Sequence, residues 1–378
     1  MGNYWELKLG GIGAEIDTEE NKNAQDLLSL EAQSAAKDAT IAALRAQLAA
    51  AMLPAPTPTP SGFPTHWAKL KRGFCLEQVP ASIPTLAEFQ GLYVAGFRSM
   101  RTHLRMQDYL VPGIPCVPST NPLIQKLLPV WKNAVAAGLL VTVDVFGGVP
   151  PPYLASSNDT WLVSVLTALA SYLKTQFADD QFIFGLANEP NRADWWAVQG
   201  AKFLPAMRAA WPGVTISCTP KLDGSSLDAW GGWSMPLELS KQTPYTDKNV
   251  VYPFHFYEDR NFTYQAVTWA DKSTVHNMPY PNPLTGGGWD QLRLRTIMAP
   301  AKIFADKGAF VICQEFGVVR PSSLGPDVAS RLRWLTDVRL LAEDFGFGWS
   351  IWELDKGFGI CLPGTHTLDP SIKAVLGL

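Results

Sequence analysis

Cysteine is scarce in this chain and odd in number. The 378 residues include five, Cys75, Cys116, Cys218, Cys313 and Cys361, too widely spread for a disulfide framework. No pair has the close spacing of zinc ligands, so neither a metal nor any other cofactor is expected. Cys75, Cys218 and Cys313 lie in apolar, strand-like runs and read as small buried hydrophobes. Charge is thin as well: charged residues make up 17% and the formal net charge is -3. A phosphate backbone calls for a basic surface, so nucleic acid is not an expected partner. No apolar run reaches membrane-spanning length. The opening MGNYWELKLGGIGAEID lacks a basic stretch followed by an apolar one, so no secretory signal is expected. Glu6 stands where a myristoylation site wants Ser or Thr. An extracellular substrate would then require release by lysis, a specialised export route, or carriage on a larger particle. No GxGxxG and no GxxxxGK[ST] is present, which weighs against a doubly wound nucleotide-binding sheet.

What is abundant is apolar and aromatic. Hydrophobic residues make up 47%, enough for a sizeable core. The 14 Trp, 10 Tyr and 18 Phe supply flat rings, some of which could serve as platforms for the C–H faces of sugars. Residues 24–53 read as one helix, rich in Ala and free of Pro and Gly. Leu27, Leu30, Ile41, Leu44, Leu48 and Ala51 share one heptad seam, with Ser34 and Lys37 interrupting it. That pattern fits self-association or attachment to a larger assembly such as a phage particle. It also fits a lone amphipathic helix packed on the domain or on a partner. The stretch PAPTPTPSGFP (54–64) favours extended backbone and reads as a semi-rigid linker. The chain therefore divides into 1–53, a linker over 54–65, and a domain over 66–378.

In that domain short β-branched or aromatic runs alternate with helical stretches. The expected strands are 73–77, 97–104, 139–146, 182–189, 214–220, 250–257, 310–317 and 347–354. Helical segments such as 121–138 and 160–177 fall between them. Eight strands with intervening helices predict a (β/α)₈ TIM barrel, whose active site forms at the C-terminal strand ends. Ionisable groups gather at those ends: Arg101 and His103, Asn188-Glu189-Pro190, His255 and Tyr257, Glu315-Phe316-Gly317, with Trp352 on the last. Two carboxylates at one barrel mouth are the minimum equipment for glycoside hydrolysis.

These ordered motifs resemble glycoside hydrolase family 5 over about residues 70–360. Arg72-Gly73 is similar to the family's opening, and Arg101 to its second-strand arginine. Asn188-Glu189-Pro190 resembles the Asn-Glu-Pro signature, His255-x-Tyr257 the sixth-strand pair, Glu315-Phe316-Gly317 the nucleophile motif, and Trp352 the eighth-strand tryptophan. The stretches Asn261–Gln265 and Trp352–Gly359 look like a bacterial cellulase-like branch. The resemblance implies a retaining β-glycosidase with Glu189 as acid/base and Glu315 as nucleophile, acting on a polysaccharide or oligosaccharide. It also implies that Arg101 and Tyr257 orient Glu315, that Asn188 bonds a sugar 2-hydroxyl, that His255 holds a hydroxyl or a carboxylate, and that Trp352 floors the −1 subsite. One departure stands out: the family often carries a histidine pair after strand 3, where this chain has Asp144-Val145-Phe146-Gly147-Gly148.

Plainer readings stay open at this point. Glu189 before Pro190 could be a helix-start acid, Glu315 could pair with Arg320, and His103 and His255 could be core histidines. Arg101 could form a structural ion pair, and Trp352 could be core. Met100 and Met106 read as core or rim filler. Trp230, Trp233, Trp269 and Trp289 lie in Gly-rich or polar loops and are candidates for sugar subsites, or else each packs its own loop. Two rivals of other classes are a non-catalytic glycan-binding or structural decoration protein and an aldolase-type barrel, the latter wanting a strand-end lysine or a metal cluster.

Overall fold

The computed structural model describes residues 66–77, 83–105, 110–146, 154–222, 235–270, 272–282 and 288–378. The expected helix over 24–53, the Pro/Thr linker, Met106, Trp230 and Trp233 lie outside the described residues. Eight parallel strands close a barrel in sequence order. They are β1 (Gly73–Leu76), β2 (Ser99–Arg105), β3 (Leu140–Phe146), β4 (Phe182–Gly185), β5 (Thr215–Ser217), β6 (Val250–Phe256), β7 (Phe310–Phe316) and β8 (Gly348–Ile351). The expected TIM barrel is therefore the fold.

Helices fill the crossovers because their sequences carry both a start and a stop. Asn121 caps the helix Pro122–Ala136 by accepting from the N–H groups of Leu123 and Ile124, and Pro122 sits in the first turn, where its missing N–H costs nothing. That helix buries Ile124, Leu127, Val130, Trp131 and Ala134 against the outer face of the barrel, and Gly138 then turns the chain at φ 94°. Thr85 and Glu88 form a reciprocal capping box on Leu86–Ala95.

The N-terminal end of the barrel is plugged. Leu70, from the short helix Trp67–Leu70, packs with Leu140, Ile183, Val251, Phe310 and Ile312 inside the ring, and Trp67 tilts against Phe310. With that end filled by hydrocarbon, polar chemistry has only the other end in which to collect. Three strands, β4, β5 and β8, end three or more residues earlier than the sequence implies. β4 leaves the ladder at Gly185 and β8 at Ile351, so Asn188, Glu189 and Trp352 stand beyond regular sheet. Single bonds still tether them: Asn188 N–H donates to the Val145 carbonyl and Trp352 N–H to the Phe316 carbonyl, both at 2.8 Å.

Gly185 opposes Asp144 in register, and a Cβ there would come within 1.4 Å of Asp144 Oδ1. The absent side chain is the space that the Asp144 carboxylate occupies. Gly91, mid-helix and with nothing within 4 Å of its missing Cβ, is the opposite case. Gly185→Ala is expected to lower unfolding free energy in urea melts by about 3 kcal/mol through overpacking. Gly91→Ala is expected to raise it by about 0.5–1 kcal/mol. Equal effects at the two positions would contradict the steric assignment.

Candidate active site

The site is built around one cation. Arg101 is almost wholly enclosed, and a guanidinium in that position must be matched by acceptors. Its Nε donates to Asp144 Oδ2 and its Nη1 to Glu315 Oε1, both at 2.5 Å. Its Nη2 donates to Asn188 Oδ1. A guanidinium only donates, so Asn188 turns its amide oxygen toward Arg101 and its NH₂ away. Burial alone would push the Arg101 pKa down. The Asp144 and Glu315 carboxylates outweigh it and hold the pKa well above its ordinary value.

Glu315, at the end of β7, collects donors on both oxygens. Oε1 receives Arg101 and lies 3.3 Å from His103 Nε2 and 3.4 Å from His255 Nε2. Oε2 accepts the Tyr257 hydroxyl at 2.8 Å. Burial pushes its carboxyl up, but His255, Arg101 and His103 together hold it well below the usual carboxylate range. Glu315 is therefore an ionised group that is almost wholly enclosed. The Tyr257 phenol moves the other way: burial, then the Glu315 charge, raise it well above its ordinary value and keep it a donor.

Glu189 has a different environment. It is a quarter exposed, and one oxygen lies 2.6 Å from His255 Nδ1. His255 thus stands between the two acids. Single atoms of Glu189, His255 and Glu315 all lie within 4.8 Å of one another. Two carboxylates and an imidazole at that spacing are also the donor types of a divalent cation site. Here, however, Arg101 already supplies positive charge on Glu315 Oε1, and a second cation beside it would be repelled.

All eight residues read from the sequence sit at this one end of the barrel, and seven make contacts within it. Trp352 lies beside them, stacked on His103 with ring centroids 5.2 Å apart and planes 20° apart. Gly317 makes that placement feasible, because a Cβ there would come within 2.2 Å of the Trp352 carbonyl. Arg320 does not pair with Glu315; it donates to the carbonyls of Lys356, Asp355 and Cys361. Trp289 is buried in the main hydrophobic core beneath Arg293, whereas Trp269 is 73% exposed and meets the ring of Tyr264 edge-on. Met100 is core, and Cys75, Cys218 and Cys313 are buried and unpaired by disulfide.

Two site residues carried no assigned role in the sequence reading. Asp144 is one. Its signal was a lone acid in the run LLVTVDVF, on the inward side shared with Thr142, where burial demands a cation. Tyr264 is the other. Its ring lies 5.1 Å from Tyr257, and burial followed by the charges of Glu189 and Glu315 raises its phenol well above the ordinary value.

Comparison with known proteins now supplies the lineage. The family model for cellulase (glycosyl hydrolase family 5) matches residues 59–357. The chain belongs to glycosyl hydrolase family 5. It is 26% identical over 239 residues to Endoglucanase 3 of Fibrobacter succinogenes, a match covering 56% of this chain and 34% of that protein. It is 27% identical over 173 residues to Endoglucanase C of Acetivibrio thermocellus, covering 39% and 49%. The chain thus matches about a third to a half of the length of these curated relatives. Among solved structures, a hyperthermophilic endo-β-1,4-glucanase in complex with substrate superposes with TM-score 0.69 at 22% identity, over 83% of this chain and 99% of that one. Thermotoga maritima Cel5A with mannotriose gives TM-score 0.68 at 19% identity over the same shares. At these identities the structural likeness speaks for the fold.

Two further acids flank the site. Glu258 follows Tyr257 and Glu353 follows Trp352. Burial pushes both carboxyls up to about 7, with Glu77 adding repulsion on Glu353. A carboxyl whose folded pKa lies above its unfolded value binds more protons in the native state across that window, so stability falls as pH rises through it. Thermal melts of the wild type are expected to decline between about pH 5 and pH 8, and Glu258→Gln and Glu353→Gln to flatten that decline. Unchanged slopes in both variants would contradict the neutral, buried assignment.

Proposed function

We propose that this chain is a retaining β-glycoside hydrolase acting on a β-linked glucan-type polysaccharide, with Glu315 as nucleophile and Glu189 as general acid/base. The observation that carries the reading is the close pairing of two unlike carboxylates at one end of the barrel. Their nearest oxygens lie within 4.8 Å, Glu315 is locked among cationic and hydroxyl donors, and Glu189 is a quarter exposed, with the His255 imidazole 2.6 Å from one oxygen. Carboxyl groups about 5–5.5 Å apart leave no room for a water between acid and base, which favours direct attack and a covalent intermediate.

In the first step Glu315 attacks the anomeric carbon as Glu189 gives its proton to the departing glycosidic oxygen. The C–O bond breaks and a glycosyl ester forms on Glu315. Esterification removes the negative charge facing Glu189, which then takes a proton from water as that water attacks the same carbon. The ester breaks and both glutamates return to their starting states. Arg101 and Tyr257 fix the Glu315 carboxylate, a charge-assisted arrangement that limits its rotation. Asn188, with its NH₂ turned away from Arg101, is the donor for a sugar 2-hydroxyl, a bond that strengthens as the oxocarbenium-like state develops. Trp352 supplies an apolar floor. Trp269, exposed at the rim beside Tyr264, offers a platform for a further sugar of a long chain. The endoglucanase names of the relatives support the glucan reading. A non-catalytic glycan-binding role finds no support in a site whose two acids, Arg101 and Asn188 are all in place.

Incubation with barley β-glucan, carboxymethyl cellulose and aryl β-cellobioside, followed by proton NMR, is expected to show the β-anomer as first product. Glu315→Ala is expected to lower kcat by at least about 10⁴-fold on every substrate. Glu189→Ala should harm polymer cleavage far more than release of a good aryl leaving group, which needs little protonation. A first-formed α-anomer, or full activity in Glu315→Ala, would contradict the assignment.

A further inference from the structure

The geometry points to His103 as a positioning residue that fixes the nucleophile and the sugar floor with one ring. We infer that its Nε2–H, 3.3 Å from Glu315 Oε1 and outside regular hydrogen-bond geometry, stabilises that carboxylate while the ring face holds Trp352 in place. The inference rests on the catalytic reading of Glu315 and goes beyond it, because it assigns to β2 a second residue of the working site.

Strand alternation places both β2 residues on one face. Arg101 and His103 are two apart on β2, so both face the barrel interior, His103 one layer nearer the mouth. There it meets Glu315 at 3.3 Å from β7 and the Trp352 ring beyond β8. One ring therefore links three strands' worth of site. A planar side chain can do this because its edge carries the donor while its face carries the stacking contact. Burial, then the nearby Arg101 charge, push the His103 pKa below its ordinary value, so the ring is neutral near pH 7. A neutral imidazole has one N–H. The Glu315 oxygen 3.3 Å from Nε2 favours the tautomer that carries the proton there.

The neighbours of Glu315 define what His103 adds. From β2 come Arg101 and His103, from β6 His255 and Tyr257, and from β1 the buried Cys75 thiol. Asp144, Glu189, Tyr264 and, on β7 itself, the buried Cys313 thiol are the other titratable groups nearby among the described residues. A carboxylate oxygen has two lone pairs, and Oε1 is approached by three nitrogens. Oε2 is approached by the Tyr257 hydroxyl. Oε1 is thus the anchored oxygen and Oε2 the one with a lone pair to use on carbon. His103 helps set that division, and the His103–Trp352 stack ties the floor to the same reference point.

Phenylalanine and glutamine separate the two roles. His103→Phe keeps a flat ring against Trp352 and deletes the donor, whereas His103→Gln keeps an N–H and deletes the ring. The full chain, labelled with glutamate carrying carbon-13 at the side-chain carboxyl, is titrated by NMR. The Glu315 resonance is identified as the one missing in Glu315→Gln. It is expected to titrate about one pH unit higher in His103→Phe than in the wild type, and within about 0.3 unit of the wild type in His103→Gln. This readout needs no substrate, so it decides the placement even if no β-glucan is cleaved, an outcome that would sink only the proposed function. Should His103→Phe not fold, His103→Leu carries the same expectation for the titration. On aryl β-cellobioside, His103→Phe is expected to lower kcat about 10-fold with little change in KM, and His103→Gln to raise KM about fivefold. A Glu315 titration identical in the wild type and the phenylalanine or leucine variant would overturn the inference. So would a purely stability-related loss that leaves the kcat and KM pattern the same in both variants.

Discussion

The buried guanidinium of Arg101 is the constraint from which the rest of the site follows. Removing such a group from water costs several kcal/mol unless its donors are matched. Here they are matched in three directions: Asp144 on β3, Glu315 on β7 and Asn188 beyond β4. A lysine offers a point charge and could not hold three acceptors in one plane. The planar fork therefore does more than neutralise. It sets the rotamer of Glu315 and the amide orientation of Asn188, and it joins β7 to β2, two strands that are not neighbours in the barrel. Gly185 belongs to the same arrangement, since its missing side chain leaves room for the Asp144 carboxylate.

From that centre the two glutamates acquire opposite characters. Glu315 is enclosed and surrounded by donors, so charge is its stable state. Glu189 is partly open to water, with the His255 imidazole against one oxygen. Two identical side chains acquire unlike surroundings because the barrel gives them unlike neighbours, the difference on which the proposed division of roles rests. His255 joins them, with one ring nitrogen toward each. The stacking of His103 on Trp352 extends the same frame to the surface on which a sugar would rest.

Much of this was legible in the sequence, for physical reasons. The strands are short apolar runs that parallel barrels bury on both faces, and each motif stands where such a run stops. Strand ends were less legible: β4 and β8 stop at Gly185 and Ile351, because the chain leaves the ladder while keeping only single tethering bonds. Asp144 escaped because a strand-borne acid declares its partner only when register sets it among three neighbours. Trp269 and Trp289 look alike in sequence, each beside polar or Gly-rich stretches. The fold buries one under Arg293 and exposes the other, which local composition cannot decide.

The central claim is that a sugar carbon bonds to Glu315 while Glu189 moves the proton. Incubation with a 2-deoxy-2-fluoro-β-cellobioside bearing a good leaving group, which slows breakdown of a glycosyl ester, tests it most directly. Peptide mass spectrometry of the inactivated protein is predicted to find one added fluorocellobiosyl group on the peptide containing Glu315, and none in Glu315→Gln. Turnover of ordinary β-glucan with no such adduct, or an adduct on any other carboxylate, would contradict the account.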